Sequence, residues 1–266
     1  MLIAQISDLH LTRDEKFLAG MLNPYAALEQ ALENILHLTP RPDLLLITGD
    51  LAEQGELESY SHLSAQLKRL PFPYFITPGN HDNPEHLRTV FGQNIPVKQK
   101  EYFSYVIEDF PVRLIALDTR LENRARGGLS PSQIEWFIQT LANAPPDTPT
   151  LVFMHHPPFM TGINRMDQYG MVEGVDEFAE ILKNNPQICS VLCGHIHRSV
   201  QSVIHGVPIC GCPSISHQIA LDLRQTGNLA IVMEPPAMML HYWQPKQGLV
   251  SHLNYIQQYP GPYILD

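Results

Sequence analysis

The chain has 266 residues, enough for one large α/β domain or two small ones, and its 44% hydrophobic and 17% charged residues exclude a mainly disordered polypeptide. A formal net charge of −10 argues against a nucleic-acid polymer as partner, because such binding rests on Lys and Arg meeting phosphates. No apolar run approaches the roughly 20 residues that a membrane helix needs, and Asp8 interrupts the N-terminal run before a signal-peptide core could be completed. The expectation is a soluble, cytoplasmic protein with no membrane contact.

In chain order, short apolar runs at residues 3–6, 44–47, 74–76, 114–117, 151–154 and 188–192 read as strands. Between them Ala27, Leu28, Ala31, Leu32, Ile35 and Leu36 recur at helical spacing, as do Leu63, Leu67 and Leu70. Ser130-Pro131-Ser132-Gln133 forms a capping box with proline at the first helical position, ahead of Ile134, Phe137, Ile138 and Leu141. Alternation of this kind predicts an α/β fold. After His197 the texture changes: runs at 200–204, 207–209, 229–232 and 238–243 predict consecutive antiparallel strands, and 257–263 an extended tail. The expected division is a main domain over 1–240 and a strand and tail extension over 241–266, a candidate subunit contact in a homo-oligomer. Cys189, Cys193, Cys210 and Cys212 lack paired CxxC spacing and read as buried free thiols.

Five of the strands run into residues that bind metals: Asp8-Leu9-His10, Gly49-Asp50, Gly79-Asn80-His81-Asp82, His155-His156 and Gly194-His195-Ile196-His197. In open α/β sheets, ligands gather beyond the carboxyl ends of the strands, so these loops can share one crevice. Taken singly, each has an ordinary explanation, since Asn, Asp, Pro and Gly build turns and a histidine at a strand end can be core. Five in succession at strand exits predict a cluster. Carboxylate, amide and imidazole donors without a thiolate suit Zn, Mn or Fe. Two cations about 3.5–4 Å apart need a shared anion, and Asp50, at the end of a central apolar strand, is the natural bridge. Strand alternation points His155 away from His156, to the opposite face.

These blocks resemble the calcineurin-like metallophosphoesterase superfamily, whose pattern is DxH, GD, GNHD or GNHE, a single His, and GHxH. The wider chain is similar to the branch of class III cyclic nucleotide phosphodiesterases and bacterial glycerophosphodiesterases, through residues 153–158, Met166-Asp167, 213–218 and the tail around 259–263. The resemblance implies two mixed β-sheets packed face to face with helices outside. It implies two divalent or trivalent ions: one held by Asp8, His10, Asp50 and His197, the other by Asp50, Asn80, His156 and His195. It further implies attack by a metal-bound hydroxide, with His81, Asp50 and Asn80 catalytic and with Asn80, His81 and His217 meeting the substrate phosphate. Asp82 is expected to orient a loop or ligand, and Asp167 to lie near the pocket rim.

The expected activity is hydrolysis of small phosphodiesters, either glycerophosphodiesters or 3′,5′-cyclic nucleotides. A phosphomonoesterase or phosphoprotein phosphatase on the same metals is the alternative. A non-catalytic metal-binding regulator is disfavoured because no ligand is damaged and His81 is present. The lack of basic residues flanking the metal blocks, Arg198 excepted, favours a singly charged diester over a monoester dianion.

Overall fold

The structure, a computed structural model, describes residues 1–13, 20–122 and 125–265. Its elements are β1 (Leu2–Ile6), α1 (Pro24–Leu36), β2 (Leu44–Thr48), α2 (Leu57–Leu67), β3 (Tyr74–Thr77), α3 (Pro84–Phe91), β4 (Tyr105–Ile107) and β5 (Arg113–Ala116). There follow β6 (Gly127–Gly128), α4 (Pro131–Ala142), β7 (Thr150–Phe153), α5 (Asn164–Asp167), β8 (Met171–Glu173), α6 (Val175–Asn184) and β9 (Ile188–Cys193). The chain ends with β10 (Val200–Ile204), β11 (Val207–Gly211), β12 (Gln218–Ile219), β13 (Ile231–Val232), β14 (Ala237–Gln244) and β15 (Gly248–Tyr255).

Two mixed sheets form the centre, one ordered β15-β14-β1-β2-β3 and the other β10-β11-β9-β7-β5-β4. In the first, β1, β2 and β3 are parallel. In the second, β5, β7, β9 and β11 are parallel, with β4 and β10 as antiparallel edges. Residue alternation decides which layer each side chain joins. Leu114, Ala116, Leu151, Phe153 and Leu192 point inward and share a core with Ile3, Ile6, Leu44 and Leu46 of the facing sheet. Ile115, Val152 and Val191 point outward and pack under Phe137 and Leu141 of α4 and Phe178, Ile181 and Leu182 of α6. Both faces of the central strands are therefore buried, which is why they read as continuous apolar runs.

The capping box at Ser130 forms as expected: Gln133 N–H donates to Ser130 Oγ, and the Gln133 side chain accepts from the Ser130 N–H. Helices α3 and α6 were not anticipated. The first is short, capped by Asn83 with Pro84 next, and buries only Leu87 and Phe91. The strands after His197 also differ from the expected run of antiparallel neighbours. The β10–β11 hairpin extends the second sheet, β13 pairs with β12 in a separate ribbon, and β14 crosses to the first sheet beside β1. Local alternation marks a strand but carries no information about its sheet. The 240/241 boundary falls inside β14, so the first sheet runs across it. Residues 257–265 have no regular secondary structure and are exposed. Among the described residues no helix is long and apolar enough to cross a membrane. All four cysteines are free, three of them buried.

Candidate metal centre

Strands β1, β2 and β3 end at one edge of their sheet, and β7 and β9 at one edge of theirs, so the five motif loops emerge together where the sheets meet. The backbone there is unusual. Asp8, His10, Asp50, His195 and His197 adopt φ of 54°, 46°, 50°, 71° and 53°, a left-handed region that L-residues rarely enter. Strain concentrated on candidate ligands is what a site held by its surroundings displays. Two glycines explain part of the motif spelling. A Cβ on Gly79 would collide with Asp50 Oδ1, and one on Gly194 with Ser7 Oγ and the Thr48 carbonyl.

Asp8, His10, Asp50 and His197 form one buried group whose donor atoms all lie within 4.8 Å of one another. His197 Nε2 is 3.3 Å from Asp8 Oδ1 and 3.1 Å from His10 Nε2, which is itself 3.7 Å from Asp50 Oδ2. Each donor is oriented from behind. Glu53 Oε2 sits 2.6 Å from His10 Nδ1, the His217 carbonyl accepts from His197 Nδ1 at 3.2 Å, and the His195 N–H reaches both Asp8 oxygens at 3.1 Å. Carboxylates and carbonyls behind ligand histidines fix ring orientation and basicity. Glu53 was missed in the sequence, where nothing but its place three residues after Asp50 distinguishes it.

The second group brings a correction. His155 does not face away: β7 ends at Phe153, so strand alternation no longer governs residue 155. Its Nδ1–H donates to the Thr48 carbonyl at 2.7 Å, which aims Nε2 at Asp50 Oδ2, 3.3 Å away, and at Asn80 Oδ1, 3.2 Å away. A ring nitrogen facing two oxygen acceptors needs a positive charge between them, either its own proton or a metal ion in the proton's place. His155, His156 and His195 bring a second set of ring nitrogens within 4.8 Å of one another. The Nε2 atoms of His156 and His195 are buried without a hydrogen-bond partner, while His156 Nδ1 lies 2.9 Å from Thr119 Oγ1. Buried imidazole nitrogens without a hydrogen-bond partner are donors of the kind that Zn, Mn or Fe takes.

The electrostatics agree. Burial pushes the Asp8 carboxyl up, but His197 and His155 more than offset this and hold it down at about 2. Burial likewise opposes ionisation of Asp50, yet His155, His81 and His10 hold it well below the carboxylate range. Burial disfavours a charged His155, while Asp50, Asp8 and the Thr48 carbonyl outweigh it and raise the ring to about 9. The pocket thus draws positive charge to the position between Asp50 and Asn80. His195, by contrast, is held down at about 3 by burial and by His155, as a neutral ligand should be.

His81 lies at the mouth, its side chain 35% exposed. Its backbone N–H donates to Asp50 Oδ1 at 3.0 Å and its Nδ1 to the Glu53 carbonyl at 2.8 Å. A cleft of about 640 Å³ opens here, lined by Asn80, His81, Gln54, Arg120 and Glu122 among others. Asp82 is a staple: it accepts from the N–H groups of Gly79, Leu51 and Ala52 and from the Tyr60 hydroxyl at 2.8–3.1 Å, tying the Asp50 loop to the Asn80 loop. His217 is buried, its ring centroid 4.6 Å from that of His197 and its Nδ1 2.9 Å from Ser216 Oγ. Asp167 accepts from Thr161 and Gly162 within its own loop. Arg198 is engaged by the Ile219 carbonyl and Glu234.

Two mixed sheets that bring two groups able to hold a metal ion to one carboxylate have the architecture of a metal-dependent hydrolase. The calcineurin-like phosphoesterase family model matches residues 1–199, and the chain belongs to that family. It is 37% identical over 263 residues to the probable glycerophosphodiester phosphodiesterase of Arcobacter nitrofigilis, covering 99% of this chain and 96% of the relative. It is 29% identical over 213 residues to the 3′,5′-cyclic adenosine monophosphate phosphodiesterase of Escherichia coli, covering 80% and 75%. Among solved structures it is similar in fold to a dimetal phosphatase from Danio rerio, with a TM-score of 0.62 at 13% identity, covering 97% and 99% of the two chains.

Proposed function

We propose that the chain is a binuclear-metal phosphodiesterase acting on small diesters, glycerophosphodiesters or 3′,5′-cyclic nucleotides. The observation that carries this reading is the place of Asp50 between the two groups, with Oδ2 3.7 Å from His10 Nε2 and 3.3 Å from His155 Nε2. One ion is assigned to Asp8, His10, Asp50 and His197. The other is assigned to Asp50, Asn80, His195 and His155, since His155, unlike His156, places a ring nitrogen against both Asp50 and Asn80. His156 then stands behind His155, their rings edge to face at 4.8 Å.

Bound there, an ion pair neutralises phosphate charge and makes water acidic enough to attack near neutral pH. The chain's own groups do the rest. Asn80 and His81 face the cleft where the diester enters. With Nδ1–H committed to the Glu53 carbonyl, His81 acts in its protonated form, which burial opposes but Asp50 and Glu53 favour more strongly, and gives its Nε2 proton to the departing alkoxide. His217 borders the first ion's ligands and faces the phosphate from that side. Iron, manganese and zinc all suit the donors. The names of the relatives support both diester classes, and the four free cysteines support a reducing, cytoplasmic setting. Tyr263, Ile264 and Leu265, 79–93% exposed on the tail, are apolar surface of the kind that a subunit contact covers.

One observation favours a monoesterase instead: Arg120 lines the cleft beside His81, and its buried Nε has no acceptor. Asp118, 3.0 Å from Arg120 Nη2, offsets that charge and keeps the diester reading first. Rates on cyclic AMP, glycerophosphoethanolamine, an aryl diester and the matching aryl monoester at equal metal loading test the proposal. A higher kcat/KM for diesters supports it, and a clear preference for the monoester overturns it.

A further inference from the structure

Behind the metal centre, where the two sheets meet, one amide spans the junction. Gln5 in β1 is fully buried. Its Nε2 donates to Thr48 Oγ1 in β2 at 2.9 Å and to the Cys193 carbonyl in β9 at 3.1 Å. A carbonyl only accepts, so the Cys193 contact fixes the nitrogen on that side and turns Oε1 toward His241 Nε2 in β14, 2.8 Å away. The amide oxygen accepts in turn, which places the His241 proton on Nε2 and makes Nδ1 the acceptor for the Ser251 hydroxyl in β15 at 2.7 Å. Burial, with His252 near, holds His241 down at about 3, so its ring stays neutral. A continuous hydrogen-bonded chain therefore runs from the edge hairpin through β1 to both sheets.

Both inner ends of this chain adjoin ligands of the second ion. Thr48 precedes Gly49-Asp50, and its carbonyl accepts from His155 Nδ1 at 2.7 Å and from Ser7 Oγ at 3.0 Å. Cys193 precedes Gly194-His195, and the Gly194 N–H donates to the His155 carbonyl at 3.0 Å. Little slack exists there, because Gly194 already touches Ser7 and Thr48 too closely to carry a Cβ. The first ion's histidines are braced elsewhere, His10 by Glu53 and His197 by the His217 carbonyl.

We propose that Gln5 is a positioning residue for the second metal site, holding His155 and His195 in register, and that the β14–β15 hairpin locks Gln5 through His241. This rests on the two-ion reading above. A fully satisfied buried polar network is rigid, and a broken one loosens whatever it holds. Gln5→Met keeps the shape and removes every hydrogen bond of the amide. His241→Phe leaves Gln5 in place and removes its lock.

The test is titration of the metal-stripped full-length protein with Mn²⁺ by calorimetry, resolving the two sites. Gln5→Met is expected to weaken the second site about 10–100-fold, the usual effect of losing a group behind a ligand, with the first site within about threefold of wild type. His241→Phe should shift the second site in the same direction, and the double variant should be no worse than Gln5→Met alone, because both act through one chain. If Gln5→Met does not fold, His241→Phe carries the same comparison. Equal weakening of both sites, or an unmoved second site in a wild-type-like background of two ions, overturns the inference alone. A wild-type protein that takes up one ion overturns the two-ion reading and this inference with it.

Discussion

Replacing His155 and His156 one at a time separates the two assignments of the second ion. In His155→Ala the Nε2 that faces Asp50 Oδ2 at 3.3 Å and Asn80 Oδ1 at 3.2 Å is lost. The second ion is left with three protein donors, and its affinity should fall at least about 10²-fold, the upper end of what removing a mere supporting group costs. The fold should tolerate the change. The Thr48 carbonyl loses the His155 hydrogen bond but keeps Ser7 Oγ, a cost of about 1–3 kcal/mol, or a Tm lower by roughly 2–12 °C for a chain of this size. His156→Ala removes a ring that touches Thr119 and packs on His155, and it should leave two ions per chain with second-site affinity within about tenfold. Equilibrium dialysis at fixed free Mn²⁺ followed by elemental analysis reads both variants. Loss of the second ion from His156→Ala with retention in His155→Ala would refute the ring orientation argued from the Thr48 carbonyl.

His81→Ala should keep both ions and lose about 10²–10⁴ in turnover, the worth of a positioned acid; loss of metal at unchanged turnover per ion pair would make His81 a ligand instead. Glu53→Ala should weaken the first site about 10–100-fold by freeing the His10 ring, with the second site retained. The same dialysis reads it, and an unchanged first site would assign Glu53 to surface charge alone.

The cluster was legible in the sequence because its residues sit at strand exits, where parallel topology brings distant segments together. Asp8, His10, Asp50, Asn80, His195 and His197 all converge where their motifs place them. His155 was misjudged for a local reason: alternation was extended two residues past the end of β7, into a loop whose geometry is set by Thr48 on another strand. Glu53, Thr48, Thr119 and Gln5 were not legible at all. Their roles come from contacts 37 to 188 positions away in the chain, and no local pattern distinguishes a bracing threonine or glutamine from an ordinary one. The late strands were found by pattern but not by sheet, since the choice of β1 as the partner of β14 is made by long-range packing.

The central claim is that two ions sharing Asp50 make this chain a phosphodiesterase. Its most direct test strips the protein with a chelator and returns Mn²⁺ in steps, following hydrolysis of an aryl diester and the number of ions bound per chain. The account predicts negligible turnover without metal, little with the first ion, and full rate only as the second site fills, with Asp50→Ala inactive throughout. Full turnover in the chelator, or at one ion per chain, would contradict it.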